Sequence, residues 1–215
     1  MPPAPPSLFK NDLGDLAAKL RLPPSGPAFT LPESRFLQIV KTERSRRGIQ
    51  RLIRPENCLP ILAALPRGDG ARLHCVLRGD FVVCDLVAAI IEAHGPATSV
   101  RVATLSMSGS NARQLAALVR RGLITDLGLV VSEYFAKIDK KDIFPEVVAA
   151  LDGLARLTIT RTHCKIITIA TPEASWVIEG SANLRSSDNL EQIVIFDDPD
   201  LLAFHTEWID ALSRP

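Results

Sequence analysis

The chain has 215 residues, of which 47% are hydrophobic, and its formal net charge is +1. That many apolar residues can fill the core of one good-sized domain. The near-neutral charge gives no general attraction to nucleic acid or to membranes, so a polyanion would have to be bound by a local patch. No stretch approaches the roughly 18 consecutive apolar residues of a membrane span, and the N-terminus lacks the order of a secretory signal. We therefore expect a cytoplasmic chain without a membrane partner.

The four cysteines, Cys58, Cys75, Cys84 and Cys164, lie in apolar surroundings and lack the paired spacing of a metal site. This pattern predicts buried thiols in a reducing compartment, with no disulfide.

The first 60 residues differ in composition from the rest. Residues 1–30 are rich in proline and are predicted to form an extended arm, with one short helix around 13–20. Residues 31–60 are predicted to form a basic amphipathic helix and a linker, with the helix running from Glu33 to Arg54 and ending at Pro55. The apolar residues predicted to share one face of this helix are Phe36, Val40, Ile49 and Ile53.

Four arginines of the same segment, Arg44, Arg47, Arg51 and Arg54, follow one another at helical steps of three and four. They form either a solvated helix face or a patch that contacts a phosphate backbone. Arg47 and Arg51 are the candidate substrate-binding residues of this patch.

Residues 61–215 alternate between strand and helix periodicity. Strands are predicted over 71–77, 98–106, 126–132, 156–161, 164–170, 175–181 and 191–197. Helices are predicted over 80–94, 111–122 and 142–152, and from Pro199 with Asp198 as its cap. Strands that first alternate with helices and then follow one another predict a mixed β-sheet with helices on both faces, an α/β/α sandwich.

A histidine and a lysine stand two residues apart at the start of the 164–170 strand. Side chains two apart in a strand share one face, so His163 and Lys165 are predicted to lie side by side, with Cys164 turned into the core. The imidazole is a nucleophile and the ammonium a cation.

The next strand ends in the turn Gly180-Ser181-Ala182-Asn183. Glycine permits close backbone approach, and Ser181 and Asn183 supply uncharged donors. If the two strands are neighbours, these donors converge with Lys165 on a spot the size of an anion. Glu191 opens the following strand and is predicted to accept the second imidazole N–H of His163, which would fix its tautomer.

Imidazole, ammonium, amide and carboxylate groups together suit attack on phosphorus. They do not suit a metal site, because Lys and Asn are poor ligands and no third nitrogen or thiolate is supplied. The dipeptides His74-Cys75 and His163-Cys164 do not suit zinc either, since adjacent strand residues face opposite sides. The other histidines, His74, His94 and His205, are predicted to be structural or at the surface.

The loop Ser106–Asn111 opens the 111–122 helix. It is either an ordinary serine-capped helix start or an anion-binding N-terminus, in which case Ser108 and Ser110 would line the rim of the site. Arg185, which follows Asn183 closely, is either a further phosphate contact or a solvated loop residue.

These motifs resemble the signature of the phospholipase D superfamily, H-x-K-x4-D-x6-G-S-x-N. His163, Lys165, Gly180, Ser181 and Asn183 match it, although the spacing from Lys165 to Gly180 is a few residues longer. Ala170 stands where the pattern has aspartate. The similarity covers roughly residues 70–212, so that 61–215 is identified as a phospholipase D-like catalytic domain.

The resemblance implies a phosphodiesterase that needs neither metal nor cofactor. One histidine attacks phosphorus to give a phosphohistidine, a second protonates the leaving oxygen, and Lys165 and Asn183 hold the non-bridging oxygens. Two motifs are required for each site and this chain has one, so the resemblance implies a homodimer with the site on its two-fold axis. The expected substrate is DNA or RNA. The alternatives are a phospholipase or phosphatidyl transferase, and a non-catalytic module that binds nucleic acid or protein through a degenerate phosphate pocket.

Overall fold

The computed structural model describes residues 36–39, 58–68, 71–78, 82–138, 143–185 and 189–213. By its contacts the chain divides into two units, Met1–Glu33 and Ser34–Pro215, and every described residue belongs to the second. The predicted arm over residues 1–30 and the four arginines at positions 44, 47, 51 and 54 lie outside the described residues.

The described strands form one eight-stranded sheet. They are β1 (Phe36–Ile39), β2 (Ala71–Arg78), β3 (Ser99–Thr104), β4 (Leu127–Ser132), β5 (Arg156–Thr160), β6 (Ile166–Ala170), β7 (Ser175–Gly180) and β8 (Leu190–Asp197). Their order across the sheet is β1-β2-β8-β7-β6-β3-β4-β5. The pairs β1–β2, β3–β4 and β4–β5 are parallel, and the four pairs between β2 and β3 are antiparallel. The sheet is therefore mixed, as the sequence predicts.

Helices cover both faces of the sheet, which confirms the α/β/α prediction. They are α1 (Leu59–Ala63), α2 (Val83–His94), α3 (Gly109–Arg120), α4 (Glu133–Lys137), α5 (Ile143–Leu151) and α6 (Pro199–Leu212). The larger core lies between the sheet and a group of helices that includes α2, α3 and α5. A smaller core of Ala103, Val130 and Ile209 lies under α6 on the other face. No helix among the described residues is long and apolar enough to cross a bilayer.

Strand β3 illustrates how the sequence selects these two faces. Val100 and Val102 pack in the larger core, while Arg101 and Ala103 point to the side covered by α6. Alternate residues of a strand project from opposite faces, so a polar residue between two valines meets the second layer. Gly128 of β4 makes room for Arg101, because a Cβ at position 128 would lie 2.8 Å from the arginine Cδ.

The helix predicted over Glu33–Arg54 is wrong at its four described residues. Residues Phe36–Ile39, placed in a helix by the periodicity of 33–54, form a strand parallel to β2 with Phe36 opposite His74. A four-residue segment with three apolar residues, Phe-Leu-Gln-Ile, is compatible with either structure, and a sheet edge formed by residues far along the chain decides between them. The short helices α1 and α4 were not predicted. At the other end of the chain the Asp198 side chain accepts from the N–H of Leu201, which confirms the predicted start of α6.

Candidate phosphate-binding site

The two halves of the predicted site meet at the ends of neighbouring strands. Strands β6 and β7 are antiparallel partners, with Ile166 opposite Glu179. Beyond this pair the N–H of Gly180 donates to the carbonyl of Lys165 at 3.3 Å. The start of β6 and the end of β7 therefore lie against each other, and the predicted convergence of the His-x-Lys segment with the Gly-Ser-x-Asn turn is confirmed for the backbone.

His163 and Lys165 lie side by side, in the segment that leads into β6 rather than in the strand itself. The Lys165 Nζ atom is 3.0 Å from His163 Nδ1 and donates to the His163 carbonyl at 2.8 Å. Burial lowers the pKa of the Lys165 ammonium, and the nearby Glu191 carboxylate opposes this effect. The His163 side chain is exposed. The pair thus presents a nucleophilic ring and a cation to the same surface.

Cys164 departs from the prediction, because it is exposed instead of turned into the core. The chain has not yet entered β6 at this point, so strand alternation does not apply, and the Cys164 N–H donates to the Thr162 hydroxyl at 3.1 Å in a local turn. The other three cysteines are free and buried as predicted. Burial raises the pKa of the Cys58 and Cys75 thiols to about 12.

Gly180 is required by the approach of β8. A Cβ atom at this position would lie 2.1 Å from the carbonyl oxygen of Gln192, and the same oxygen accepts from the N–H of Ser181 at 2.9 Å. Only glycine allows the two backbones to come this close. The turn that carries Ser181 and Asn183 is therefore held against β8.

Glu191 pairs with Ser181, and not with His163 as predicted. The Ser181 hydroxyl donates to the Glu191 carboxylate and accepts from the N–H of Gln192 at 3.1 Å. Glu191 acts on the site through its charge, since its carboxylate favours the protonated form of Lys165. Its place at the start of β8 brings it next to the Gly-Ser turn, which accounts for the change of partner.

Asn183 is held by a residue that the motif does not contain. The buried Thr104 hydroxyl, at the end of β3, lies 3.3 Å from Asn183 Oδ1 and 3.1 Å from the carbonyl oxygen of Ser106. With Oδ1 next to Thr104, the NH2 group of the Asn183 amide points away from it. The signal in the sequence that could have identified this contact is a threonine at the carboxyl end of β3, the strand next to β6.

The loop after β3 is a serine-capped helix start, which was one of the two predictions for this segment. Ser108 caps α3, with its hydroxyl accepting from the N–H of Asn111 while the Asn111 side chain accepts from the N–H of Ser108. The Ser108 and Ser110 hydroxyls are 2.7 Å apart. Ser106 connects this loop to Asn183 through Thr104. The rim role of Ser108 and Ser110, and the phosphate contact of exposed Arg185, stay predictions.

Position 170, where the resemblance expects aspartate, lies far from this cluster. Ala170 ends β6, is paired with Ser175, and accepts from the Thr98 N–H at 2.8 Å. It is five residue steps along extended chain from Lys165, a distance of about 16 Å at the usual strand rise. A side chain at position 170 is therefore too distant to touch an anion held by Lys165.

A second polar group lies beneath the end of β7 and was also not predicted. The Trp208 indole N–H donates to His205 Nδ1 at 2.9 Å, and His205 Nε2 lies 2.7 Å from Glu179. Because an indole N–H can only donate, His205 Nδ1 is the acceptor, and Nε2 carries the ring proton and donates a hydrogen bond to Glu179. These contacts fix α6 to the strand that ends at Gly180, and they agree with the structural role predicted for His205.

A groove opens beside His163. Its volume is about 890 Å³. The residues that line it are Leu105, Ser132, Glu133, Tyr134, Lys137, Ile138, Arg161, Thr162 and His163. Within the part of the chain that the structure describes, no group of three or more His, Cys, Asp or Glu side chains is placed to hold a metal ion.

No protein-family model and no curated protein matches the chain. Several solved structures are similar to it. One is Nuc from Salmonella typhimurium, described as a phospholipase D family member, with 20% identity, a TM-score of 0.46, and coverage of 66% of this chain and 93% of that one. NucT from Helicobacter pylori has 16% identity, a TM-score of 0.48, and coverage of 66% and 95%. Phosphatidylserine synthase from Haemophilus influenzae has 12% identity, a TM-score of 0.46, and coverage of 67% and 38%.

Proposed function

We propose that the protein is a metal-independent phosphodiesterase that cleaves DNA or RNA through a phosphohistidine, at a site shared by two copies of the chain. The observation that carries this proposal is the exposed His163 ring beside the Lys165 ammonium, with Gly180 of the Gly-Ser-x-Asn turn bonded to the Lys165 backbone. A nucleophile, a cation and uncharged donors around one spot are the requirements for attack on a phosphodiester.

The reaction proceeds in two displacements. A nitrogen of His163 attacks phosphorus, the P–N bond forms, and the P–O bond to the leaving strand breaks while a second imidazolium gives its proton to the leaving oxygen. Water then attacks phosphorus, gives a proton to the second imidazole, and the P–N bond breaks. The sum is one diester and one water converted to one monoester and one alcohol.

Lys165 and Asn183 hold the non-bridging oxygens in this scheme. When phosphate binds, the Lys165 ammonium moves from the His163 ring to the phosphate. This movement also frees the Nδ1 lone pair of His163. The Asn183 NH2 group, which points away from Thr104, donates to a second oxygen. Such donors are most effective where the negative charge grows in the transition state.

The second imidazole comes from a second copy of the chain. Of the other histidines, His94 is bonded to Arg67, and His205 is buried between Glu179 and Trp208. His74 lies within β2, opposite Val194, with β8 and β7 between it and β6. A two-fold axis next to the exposed His163 would bring two equivalent rings to one phosphate.

The test is cleavage of single-stranded DNA, RNA, plasmid and phospholipid vesicles in the presence of EDTA. We expect the nucleic acids to be cut, His163→Ala to abolish cleavage, and the matched variant His74→Ala to keep it. Quenching in alkaline detergent, in which a phosphohistidine is stable, of a reaction with a substrate labelled at the scissile phosphate should trap label on the wild type and none on His163→Ala. Full turnover by His163→Ala in EDTA would refute the nucleophile, and headgroup release alone would indicate a phospholipase.

The shared site is tested by sedimentation of the active protein. Activity should follow the dimer as the chain is diluted, because a monomer has one imidazole at the site. An active monomer at micromolar concentration contradicts this part of the proposal. Binding of oligonucleotides without turnover would support the non-catalytic alternative.

A further inference from the structure

The groove beside His163 is formed by α4 on one side and by the segment from Arg161 to His163 on the other. At about 890 Å³ it lies within the ≈ 300–1,000 Å³ range of small-molecule sites. Because His163 is itself part of the lining, whatever occupies the groove is attached to, or lies next to, the group that His163 attacks.

One side of the groove carries exposed apolar surface on a rigid support. Tyr134 is 61% exposed and Ile138 is 49% exposed, at equivalent positions one helical turn apart. The Tyr134 N–H donates to the Ser132 hydroxyl, which caps α4 at 3.2 Å. The next residue, Phe135, is buried and meets the Phe144 ring edge-on at 5.5 Å. The Tyr134 backbone is thus fixed while its ring faces solvent.

The charges of the groove favour an anion. Glu133 and Lys137 form an ion pair at 2.7 Å and so cancel each other's charge. The exposed guanidinium of Arg161 adds one positive charge, and it lies close enough to Glu133 to help hold the pKa of that carboxyl low, after the larger effect of Lys137. Lys165 adds a further positive charge beyond His163.

We infer that this groove binds the unpaired nucleoside next to the scissile phosphate, with its base stacked on Tyr134 and the adjoining phosphate on Arg161. The inference rests on the proposed phosphodiesterase function and names its substrate as single-stranded nucleic acid. Every base has an apolar face that stacks on an aromatic ring, whereas in a duplex that face is already covered by neighbouring bases. A lipid chain would have to lie against Arg161, Glu133 and Lys137, which is unfavourable for an alkyl group.

Binding is tested in the inactive His163→Ala background, so that the result does not depend on turnover. The probe is a fluorescent single-stranded oligonucleotide, compared with the same strand annealed to its complement. We expect Tyr134→Ala to weaken single-strand binding about 10-fold, because the stacking contact with the base is lost, and Tyr134→Phe to retain it. The matched control is Phe204→Ala on α6, an equally exposed aromatic residue (61%) that does not line the groove.

Turnover measurements then distinguish an effect of Tyr134 on binding in the groove from an effect on the chemical step. The substrates are the 4-nitrophenyl phosphodiesters of thymidine and of methanol, which differ only in the nucleoside. We expect Tyr134→Ala to lower kcat/KM about 10-fold for the thymidine ester and less than about 2-fold for the methyl ester. Equal losses on both esters, unchanged single-strand binding in Tyr134→Ala, or equal binding of duplex and single strand would each overturn the inference. Absence of turnover by the wild type, with Tyr134-dependent binding intact, would overturn only the proposed function.

Discussion

Two groups place a cation near the sheet, and they differ in whether that cation has a carboxylate partner. One is the Arg101 cluster, formed by Arg101, Arg156, Asp126 and Asp210. The other is the His163–Lys165 pair. Arg101 is 4% exposed and donates to Asp126 and Asp210 as well as to the carbonyls of Val100 and Asp126. Lys165 donates to the His163 ring and carbonyl. Among the described residues the ion pairs within 4 Å do not include its ammonium. A cation whose donors are used within the protein supports the fold, whereas one that lacks a carboxylate partner is available to an anion.

The largest expected effect is on turnover when Lys165 is replaced. Lys165→Met removes the cation at the candidate site, and we expect kcat to fall about 1000-fold, equivalent to about 4 kcal/mol of transition-state stabilisation. The free energy of unfolding should change by less than about 0.5 kcal/mol, since no ion pair is lost. The control is Arg121→Met, which removes an exposed cation paired with Glu92 between α2 and α3. If both variants keep their activity, Lys165 does not stabilise the transition state.

Replacement of Arg101 should lower the stability of the fold and leave turnover unchanged, the reverse of the result expected for Lys165. Arg101→Met leaves Asp126 and Asp210 without their buried partner, and we expect a loss of about 3 kcal/mol in the free energy of unfolding, measured in urea. The folded protein should keep its turnover. Arg156 contacts the same two carboxylates from an exposed position, so Arg156→Met should cost no more than about 1 kcal/mol. Equal costs for the two variants would contradict the distinction between buried and exposed partners.

Thr104 lies between these two cases, because it is buried like Arg101 but contacts the site. Thr104→Val keeps the shape and removes the hydroxyl next to Asn183 Oδ1. We expect kcat to fall about 10-fold with little change in KM, a loss of about 1.4 kcal/mol. Thr104→Ser should restore most of the activity, which a purely structural role in packing would not predict. A loss shared by Thr104→Ser and Thr104→Val would show that the methyl group matters instead.

The sequence predicts what is local to a strand or a helix. Seven strands, four helices and the Asp198 cap follow from periodicity and spacing, and so does the placement of Gly180 against the start of β6. His163 and Lys165 are adjacent as predicted, but strand alternation is not the reason, because both precede β6. The partners of Glu191 and Asn183 could not be predicted in this way. Ser181 meets Glu191 because β8 approaches the Gly180 turn closely, and Thr104 meets Asn183 because of the order of the strands in the sheet. The same holds for β1 and for the Arg101 cluster, whose members are far apart in the chain.

The smallest expected effect is the pH dependence of the Arg101 cluster. Burial raises the pKa of Asp210, but the Arg101 and Arg156 guanidiniums outweigh this and hold it below its usual range. A depressed carboxyl pKa contributes stability above the unfolded pKa of about 3.9, and this contribution is lost as the pH falls through the folded value.

The corresponding experiment measures Asp210→Asn against the wild type in urea between pH 6 and pH 3. The variant should be less stable by up to about 1 kcal/mol at pH 6, and the difference should shrink towards acid pH as the wild-type carboxyl is protonated. Asp200→Asn, an exposed carboxyl in the first turn of the same helix, is the control, and its smaller difference should not depend on Arg101. A difference for Asp210→Asn that stays constant from pH 6 to pH 3 would mean that the side chain acts through its shape and not its charge, and that the Arg101 cluster does not support the fold electrostatically.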